Sequence, residues 1–393
     1  MSDRLSGLIS PVTRESLIAL RRDLHQHPEL AFSESRTAAV LERSLAALTP
    51  VSVRRVAGTG VVARIRGLRS DAPVVAVRGD IDALPIQEAT NLSFASVNAG
   101  VMHACGHDVH AAWAVGAAHL LTERPAEGDV LVVLQPAEET GEGAAAVLAS
   151  GALDDVRAIF GAHVDRRFVV GQVVAQAGPL AASADTFQIA LAGRGAHGAR
   201  PHEAADPIVC AAAIISALQT IVARRVNPAT PAVVTVASVH AGSALNVIPE
   251  QATLGGTLRA VDPGTRELLA NEVRRLAEGI AAAHGIVATV TLTLGPPPIV
   301  NPEQAAAWAR TAVASVLGVD ALVPLGTINM AGEDFAYYME RVPGCFMRVG
   351  ARMADEAVIP AHTPQFHASE ASIFVGAAVL AEAARVASAG LAS

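Results

Sequence analysis

Apolar positions recur at helical spacing through residues 11 to 27, at Leu17, Ile18, Leu20 and Leu24, until Pro28 ends the run. A second helix is expected from 37 to about 48, followed by two short β-branched strands in "GVVARIRG" and "APVVAVRGD". Further on, "HAAWAVGAAHLLTE" and "GAAAVLASGAL" read as helices, with the apolar strands "DVLVVLQP" and "AIFGAHV" after each predecessor. Apolar strands alternating with helices predict an α/β domain built on a mostly parallel sheet, covered on both faces. From about 182 the order changes to strand, helix, strand, strand, helix, strand, complete by about 295. That order is the ferredoxin-like α+β arrangement, and "GPPPIVNP" closes it, since consecutive prolines cannot continue a central strand. The expected architecture is a discontinuous domain, 1–181 and 296–393, interrupted by a second domain at 182–295.

A chain of 393 residues with 51% hydrophobic positions has material for two cores. Its net charge is −8, and all of its basic residues are arginines, scattered rather than gathered in a stripe. Nucleic acid and anionic membrane surfaces are therefore not expected partners. The cysteines, Cys105, Cys210 and Cys345, are too few and too far apart for a disulfide framework. The N-terminal stretch carries charges throughout and lacks the apolar run of a secretory signal. A soluble, cytoplasmic protein is expected.

"MHACGHDVH", at 102–110, concentrates three histidines, a cysteine and an aspartate in nine residues. Cys105 and His107 follow a glycine-bearing turn and precede a helix. Loops of this kind leave the carboxyl ends of parallel strands, where open α/β sheets bind ligands. Other predicted strand ends carry Asp80 and Asp82, Glu138 and Glu139, and His163, while "AHTPQFH" adds His362 and His367. A thiol, imidazoles and carboxylates converging there suit zinc or another late first-row divalent ion rather than magnesium or calcium. Neighbouring side chains such as Glu138 and Glu139 point different ways in extended or turn backbone. One can then ligate while the other accepts a proton from an activated water. Asp82 suits the task of fixing a ligating imidazole in one tautomer; Asp80 has no evident role. Neither H-E-x-x-H nor P-C-x-x-C occurs. "GRGAHG" matches a dinucleotide fingerprint in letters only, since no helix opens on it.

In sequence order, "RRDLHQHPELAFSE", "RGDIDALPIQE", "MHACGHDVHAA", "LQPAEETGEGA", "GRGAHGARPHEAADPI", "NVIPE", "GTLR", "AGEDFAYY" and "HTPQF" resemble the M20-type metallo-amidohydrolases. The similar branch contains N-acyl-amino-acid amidohydrolases, hippurate hydrolases and auxin–amino-acid conjugate hydrolases. The resemblance runs nearly end to end. It implies a catalytic α/β domain holding two divalent metal ions, zinc or manganese with nickel or cobalt as alternatives. It also implies that the inserted domain serves as lid and dimerisation surface, in a homodimer or a tetramer. The implied ligands are Cys105, His107, Glu139, His163 and His362. Glu138 would be the general base, Asp82 the supporting acid, and His197 the group polarising the scissile carbonyl, entering from a partner subunit. Asn246 and Arg259 match positions holding the substrate's carbonyl and carboxylate. The substrate would be a small N-acyl amino acid; a dipeptidase or carboxypeptidase, or a metal-dependent binding protein without turnover, are the alternatives.

Three departures from the family pattern stand out. The lid loop reads Gly195-Ala196-His197-Gly198 instead of Gly-Gly-His-Ala, His367 replaces an acidic residue and so competes with His362 as ligand, and Arg166 and Arg167 stand where proline is usual. His25 and His27 are expected to cap or pack the first helix, and His103 and His110 to support the cluster without ligating. His119, His240 and His284 are expected to be ordinary packing or surface residues; Cys210 and Cys345 belong to the cores.

Overall fold

The structure, a computed structural model, describes residues 7–393; the first six residues of the larger expected domain lie outside them. In chain order the elements are α1 (Pro11–Gln26), α2 (Ser35–Ala46), β1 (Ser52–Val56), β2 (Gly60–Ile65), β3 (Val74–Asp80) and α3 (His107–Glu123). Next come β4 (Val130–Gln135), α4 (Gly143–Ala149), β5 (Val156–Val169), β6 (Val173–Val174), β7 (Asp185–Ala192), α5 (Pro207–Arg224) and β8 (Ala232–Ala241). The last are β9 (Gln251–Ala260), α6 (Pro263–Ala283), β10 (Val287–Thr293), α7 (Glu303–Leu317), β11 (Gly344–Arg352) and α8 (Ala371–Ala392). Three helices start alike. Ser10, Asp206 and Asp262 each accept a hydrogen bond from a first-turn backbone N–H, and proline follows directly. The cap satisfies an orphan donor and the ring fixes the helical φ.

Two compact units divide the chain. One takes in the chain up to Gly178, then Asn301–Gly326 and Asp334–Ser393. Its seven-stranded sheet runs β1-β2-β4-β3-β5-β11-β6. Strands β4, β3, β5 and β11 are mutually parallel, whereas β1, β2 and β6 pair antiparallel at the flanks. The sheet is therefore mixed, with a parallel centre, rather than mostly parallel. Only residues 57–59 join β1 to β2, far too few for a crossover. Strand β5 also outruns its expected length, because β11 pairs with it as far as Val169. Along β4 all positions are buried, which is why its sequence reads as one apolar run.

Helices α3 and α8 form the heart of this unit's core. Trp113 is wholly buried, and a Cβ on Gly376 of α8 would lie 2.2 Å from its Cε3. Alanine-rich α8 has the length and apolarity of a membrane span, as does α5, but 78% of its apolar window is buried here.

The other unit comprises Pro179–Val300 and Thr327–Glu333. Its four-stranded antiparallel sheet has the order β8-β9-β7-β10, with α5 and α6 in the connections. Burial alternates strictly along β7, with Phe187, Ile189 and Leu191 facing inward to meet Ile214, Leu218, Leu269 and Val273 of the two helices. The segment 327–333 joins this unit through Asn329, whose carbonyl accepts from the Ala182 backbone at 3.1 Å. Where the unit begins and ends, the Ala184 N–H donates to the Pro296 carbonyl at 3.0 Å.

Since the α3–α8 contact leaves no room for a methyl group, Gly376→Ala should lower stability by about 1–3 kcal/mol, the usual cost of overpacking. Thermal unfolding reads this directly, and an unchanged midpoint would contradict the packing described.

Candidate metal centre

At the carboxyl end of β3 the chain continues into Asp82, and at that of β4 it turns through Ala137 into Glu138 and Glu139. His163 lies within β5, Cys105 and His107 flank the start of α3, and His362 follows β11. Gly106 between Cys105 and His107 has φ +95°, and a Cβ there would lie 2.5 Å from Val164 Cγ2, so only glycine fits. Ala137 and His362 also take left-handed backbone, at φ +54° and +63°. Such conformations persist only where the surroundings impose them. For Ala137 the imposing groups are visible: its N–H donates to buried Glu34 at 2.9 Å, and the N–H of Glu139 donates to Asp82 Oδ2, also at 2.9 Å.

These turns bring donor atoms within 4.8 Å of one another in overlapping groups: Cys105, His107 and His163; Cys105, Glu139 and His362; and His107, Glu138 and Glu139. Cys105 Sγ lies 3.3 Å from His163 Nε2. Glu139 Oε1 lies 3.4 Å from His362 Nε2 and 3.8 Å from His107 Nε2, and Glu138 Oε2 is also 3.8 Å from the latter. Asp82 meets His107 Nδ1 through its carboxylate at 3.1 Å and its carbonyl at 3.0 Å. That contact leaves Nε2 facing the cluster.

His107 Nε2 and Glu139 Oε1 are buried without hydrogen-bond partners. An unsatisfied buried polar atom is costly, and two of them pointing at each other's neighbours fit a cation between them. Electrostatics agree. Burial works against charge on His107, yet Asp80 and Asp82 outweigh it and hold the imidazole well above its ordinary pKa, a place for positive charge. Burial, then the Glu139 carboxylate, push the Cys105 thiol up to about 12; a divalent cation would reverse that, since a coordinating thiol is deprotonated. Burial, with His110 and Arg348, keeps His163 well below its usual value, in the neutral form that ligates.

The flanking histidines are engaged elsewhere or enclosed. His110 Nδ1 meets Asp80 at 2.6 Å, its Nε2 accepts from the Val164 N–H at 3.0 Å, and its ring stacks on Trp113. His25 bridges Asp108 and Glu88, and His27 Nδ1 meets the Asp23 carbonyl. His103 is buried with both ring nitrogens unpartnered, and burial lowers its pKa to about 4. His367 turns toward Glu356, 3.9 Å away, and belongs to none of the donor groups among the described residues. Asp80 belongs to a buried network: Arg78 donates to Asp80, Gln135 and Asp334, and Gln135 and the Ala144 N–H donate to Asp334. Glu34 and Asp334, which hold the two ends of the Glu138–Glu139 turn, carried no sequence signal of that task beyond lying in family-like motifs.

In the second unit, Ala196 and His197 pair with Val247 and Ile248 in a two-residue ladder. The Gly198 N–H donates to the Asn246 carbonyl at 2.7 Å, so His197 and Asn246 are neighbours. His197 is exposed, and its Nδ1 accepts from the Ala199 N–H at 3.1 Å. Arg259 lies on β9 opposite Val233 of β8, away from that ladder's register. A short 3-10 turn, Pro201–Glu203, follows the "GRGAHG" loop instead of a helix.

Comparison with known proteins identifies the family. Over 372 residues the chain is 42% identical to an N-acetylcysteine deacetylase of Bacillus subtilis (strain 168), covering 94% of this chain and 96% of that one. It is 37% identical over 381 residues to the IAA-amino acid hydrolase ILR1-like 2 of Arabidopsis thaliana, covering 95% and 86%. Among solved structures it resembles the Bacillus subtilis YXEP protein, described as a dinuclear metal binding peptidase from M20 family. That likeness has a TM-score of 0.84 at 39% identity and covers 96% of this chain and 99% of that one. Residues 76–386 match Peptidase family M20/M25/M40, and the chain belongs to that family.

Proposed function

We propose that this protein is a metal-dependent hydrolase that cleaves the amide bond of N-acyl amino acids. One observation carries the reading: a buried thiol, three imidazoles and two adjacent carboxylates converge with donor atoms left unsatisfied, on a chain closely similar to a deacetylase and an amino-acid-conjugate hydrolase. The similarity to a dinuclear protein supports two divalent ions, held by Cys105, His107, Glu139, His163 and His362. The soft thiolate favours zinc, with manganese, nickel or cobalt as alternatives. Bound there, such ions supply Lewis acidity toward a carbonyl and lower the pKa of water.

The protein's own groups do the rest. Glu138 accepts the proton of the attacking water and returns it to the departing amine nitrogen, so that amide C–N cleavage is balanced by one new C–O bond. Asp82 keeps His107 Nδ1 occupied and Nε2 free, while its second oxygen fixes the backbone of Glu139. His197 supplies a hydrogen bond to the scissile carbonyl oxygen, and Asn246 and Arg259 hold the substrate's carbonyl and carboxylate. The second unit then acts as lid and dimerisation surface of a homodimer, or of a tetramer built from it. Supporting this, β8 is an edge strand whose last five residues are exposed on both faces, and the nearby Leu245 is fully exposed. Three unpaired, buried cysteines suit a reducing, cytoplasmic setting.

Hydrolysis of N-acetyl and N-benzoyl amino acids should vanish on chelation and return with zinc or manganese; activity confined to dipeptides in the same panel would overturn the substrate class. Glu138→Gln should lose about 10²–10⁴-fold in kcat while retaining wild-type metal content by elemental analysis; loss of the metal as well would deny it the role of base. If His197 acts in a partner's site, mixing inactive His197→Ala and Glu138→Gln subunits should recover part of the activity, whereas none in verified heterodimers would place it in its own subunit's site.

A further inference from the structure

Arg166 and Arg167 break the family-like pattern beside the site, and their side chains do unlike things. Arg167 turns to Asp165, which accepts from its Nε at 3.1 Å. Arg166 is buried, 4% exposed, on the strand that also carries His163. One of its terminal nitrogens donates to the carbonyl of His367. The other donates to the carbonyl of Ala357 at 2.9 Å and to the carboxylate of Glu356 at 3.2 Å. Glu356 in turn accepts from the Met353 N–H at 3.0 Å. A single guanidinium thus ties together both ends of the segment 356–367.

His362 is the member of the donor set that most needs such help. Its side chain is 52% exposed, where the others are buried or nearly so, and its backbone is left-handed, an uncommon conformation outside glycine. The middle of the segment is anchored elsewhere: the His362 N–H donates to the Ala104 carbonyl, next to Cys105, at 2.8 Å, and the Ala89 N–H donates to the Pro364 carbonyl at 2.8 Å. The loop therefore hangs between Arg166 and the turn that carries Cys105. Strand β11, which leads into it, lies beside β5 with Arg348 opposite His163.

We infer that Arg166 is a positioning residue that holds His362 against Cys105 and Glu139, so that β5 fixes the placement of both His163 and His362. The inference rests on the two-metal reading above. Lysine would substitute only in part: its one nitrogen lacks the planar fork that reaches acceptors on both sides. The side chain's hydrogen bonds go to His367, Glu356 and Ala357, none of them in the proposed ligand set, and its effect passes through the loop.

The test uses the full chain stripped of metal and titrated with Co(II), following the thiolate-to-cobalt absorption of Cys105 and the total stoichiometry. Arg166→Ala should weaken one of the two cobalt ions by about 10–100-fold, the usual effect of removing a group that orients a ligand, while the thiolate band of the other persists. His362→Ala should produce the same loss, and the double variant no more than either. In the metal-free chain, hydrogen exchange should quicken across 353–367 and stay unchanged in β5. Arg166→Lys should lie between; it carries the test if Arg166→Ala does not fold. Wild-type cobalt binding together with wild-type exchange in the variant would overturn the brace. A wild-type chain that binds fewer than two cobalt ions would instead overturn the two-metal reading, and the exchange measurement would still decide the role of Arg166.

Discussion

Asp82 makes one contact on which the whole cluster depends. With Nδ1 of His107 occupied by the Asp82 carboxylate and carbonyl, the ring can rotate nowhere and presents Nε2 to the other donors. The second carboxylate oxygen grips the Glu139 backbone, so one residue sets both an imidazole and the carboxylate that faces it. Asp82 can do this because it sits just past the last residue of β3, between the strand ends that deliver Glu139 on one side and His163 on the other. A parallel sheet aligns those ends, and the strand order β4-β3-β5 makes them neighbours.

Beneath the donors lies a buried layer of fixed charge. Asp80, Asp334 and Arg78 are fully buried, with Arg78 paired to both carboxylates, and Arg21 holds Asp108 at 2.7 Å beside His25. Arg78, His107 and His110 keep Asp80 well below the usual carboxylate range despite burial. Breaking such a pair by removing one partner typically costs about 3–5 kcal/mol, which makes the floor of the site rigid. Its walls are different in kind: the Glu138–Glu139 turn and the His362 loop each contain a left-handed residue other than glycine and rely on distant side chains for their shape.

What the sequence discloses follows from the range of the forces concerned. Helix starts are local: Asp206 caps α5 and Pro207 opens it, both within one turn of the chain. The burial of β4 on both sides shows as an unbroken apolar run, and the alternation along β7 as a half-buried strand. Donor-bearing strand ends were legible for the same reason, since the carboxylates, thiol and imidazoles each interrupt an apolar segment. Pairing partners were not. Nothing near Val130 says that β2 will lie antiparallel beside it, and Arg78, which holds Asp80, also reaches Asp334, 256 residues along the chain. Arg166 looked like a change at the rim of the site; only its acceptors, some 190 residues along the chain, show it to be bonded to the loop of His362.

The hydrogen bond between Ala184 and Pro296 has a consequence for how the donors find each other. His163 and His362 lie on opposite sides of a long excursion of the chain, and closing a floppy loop of that length would cost roughly 4 kcal/mol of entropy by logarithmic scaling alone. A segment that folds on itself and returns its exit to its entry removes most of that cost. To the remainder of the polypeptide the excursion then counts as little more than a tight turn, and imidazoles remote in number become close in effective concentration.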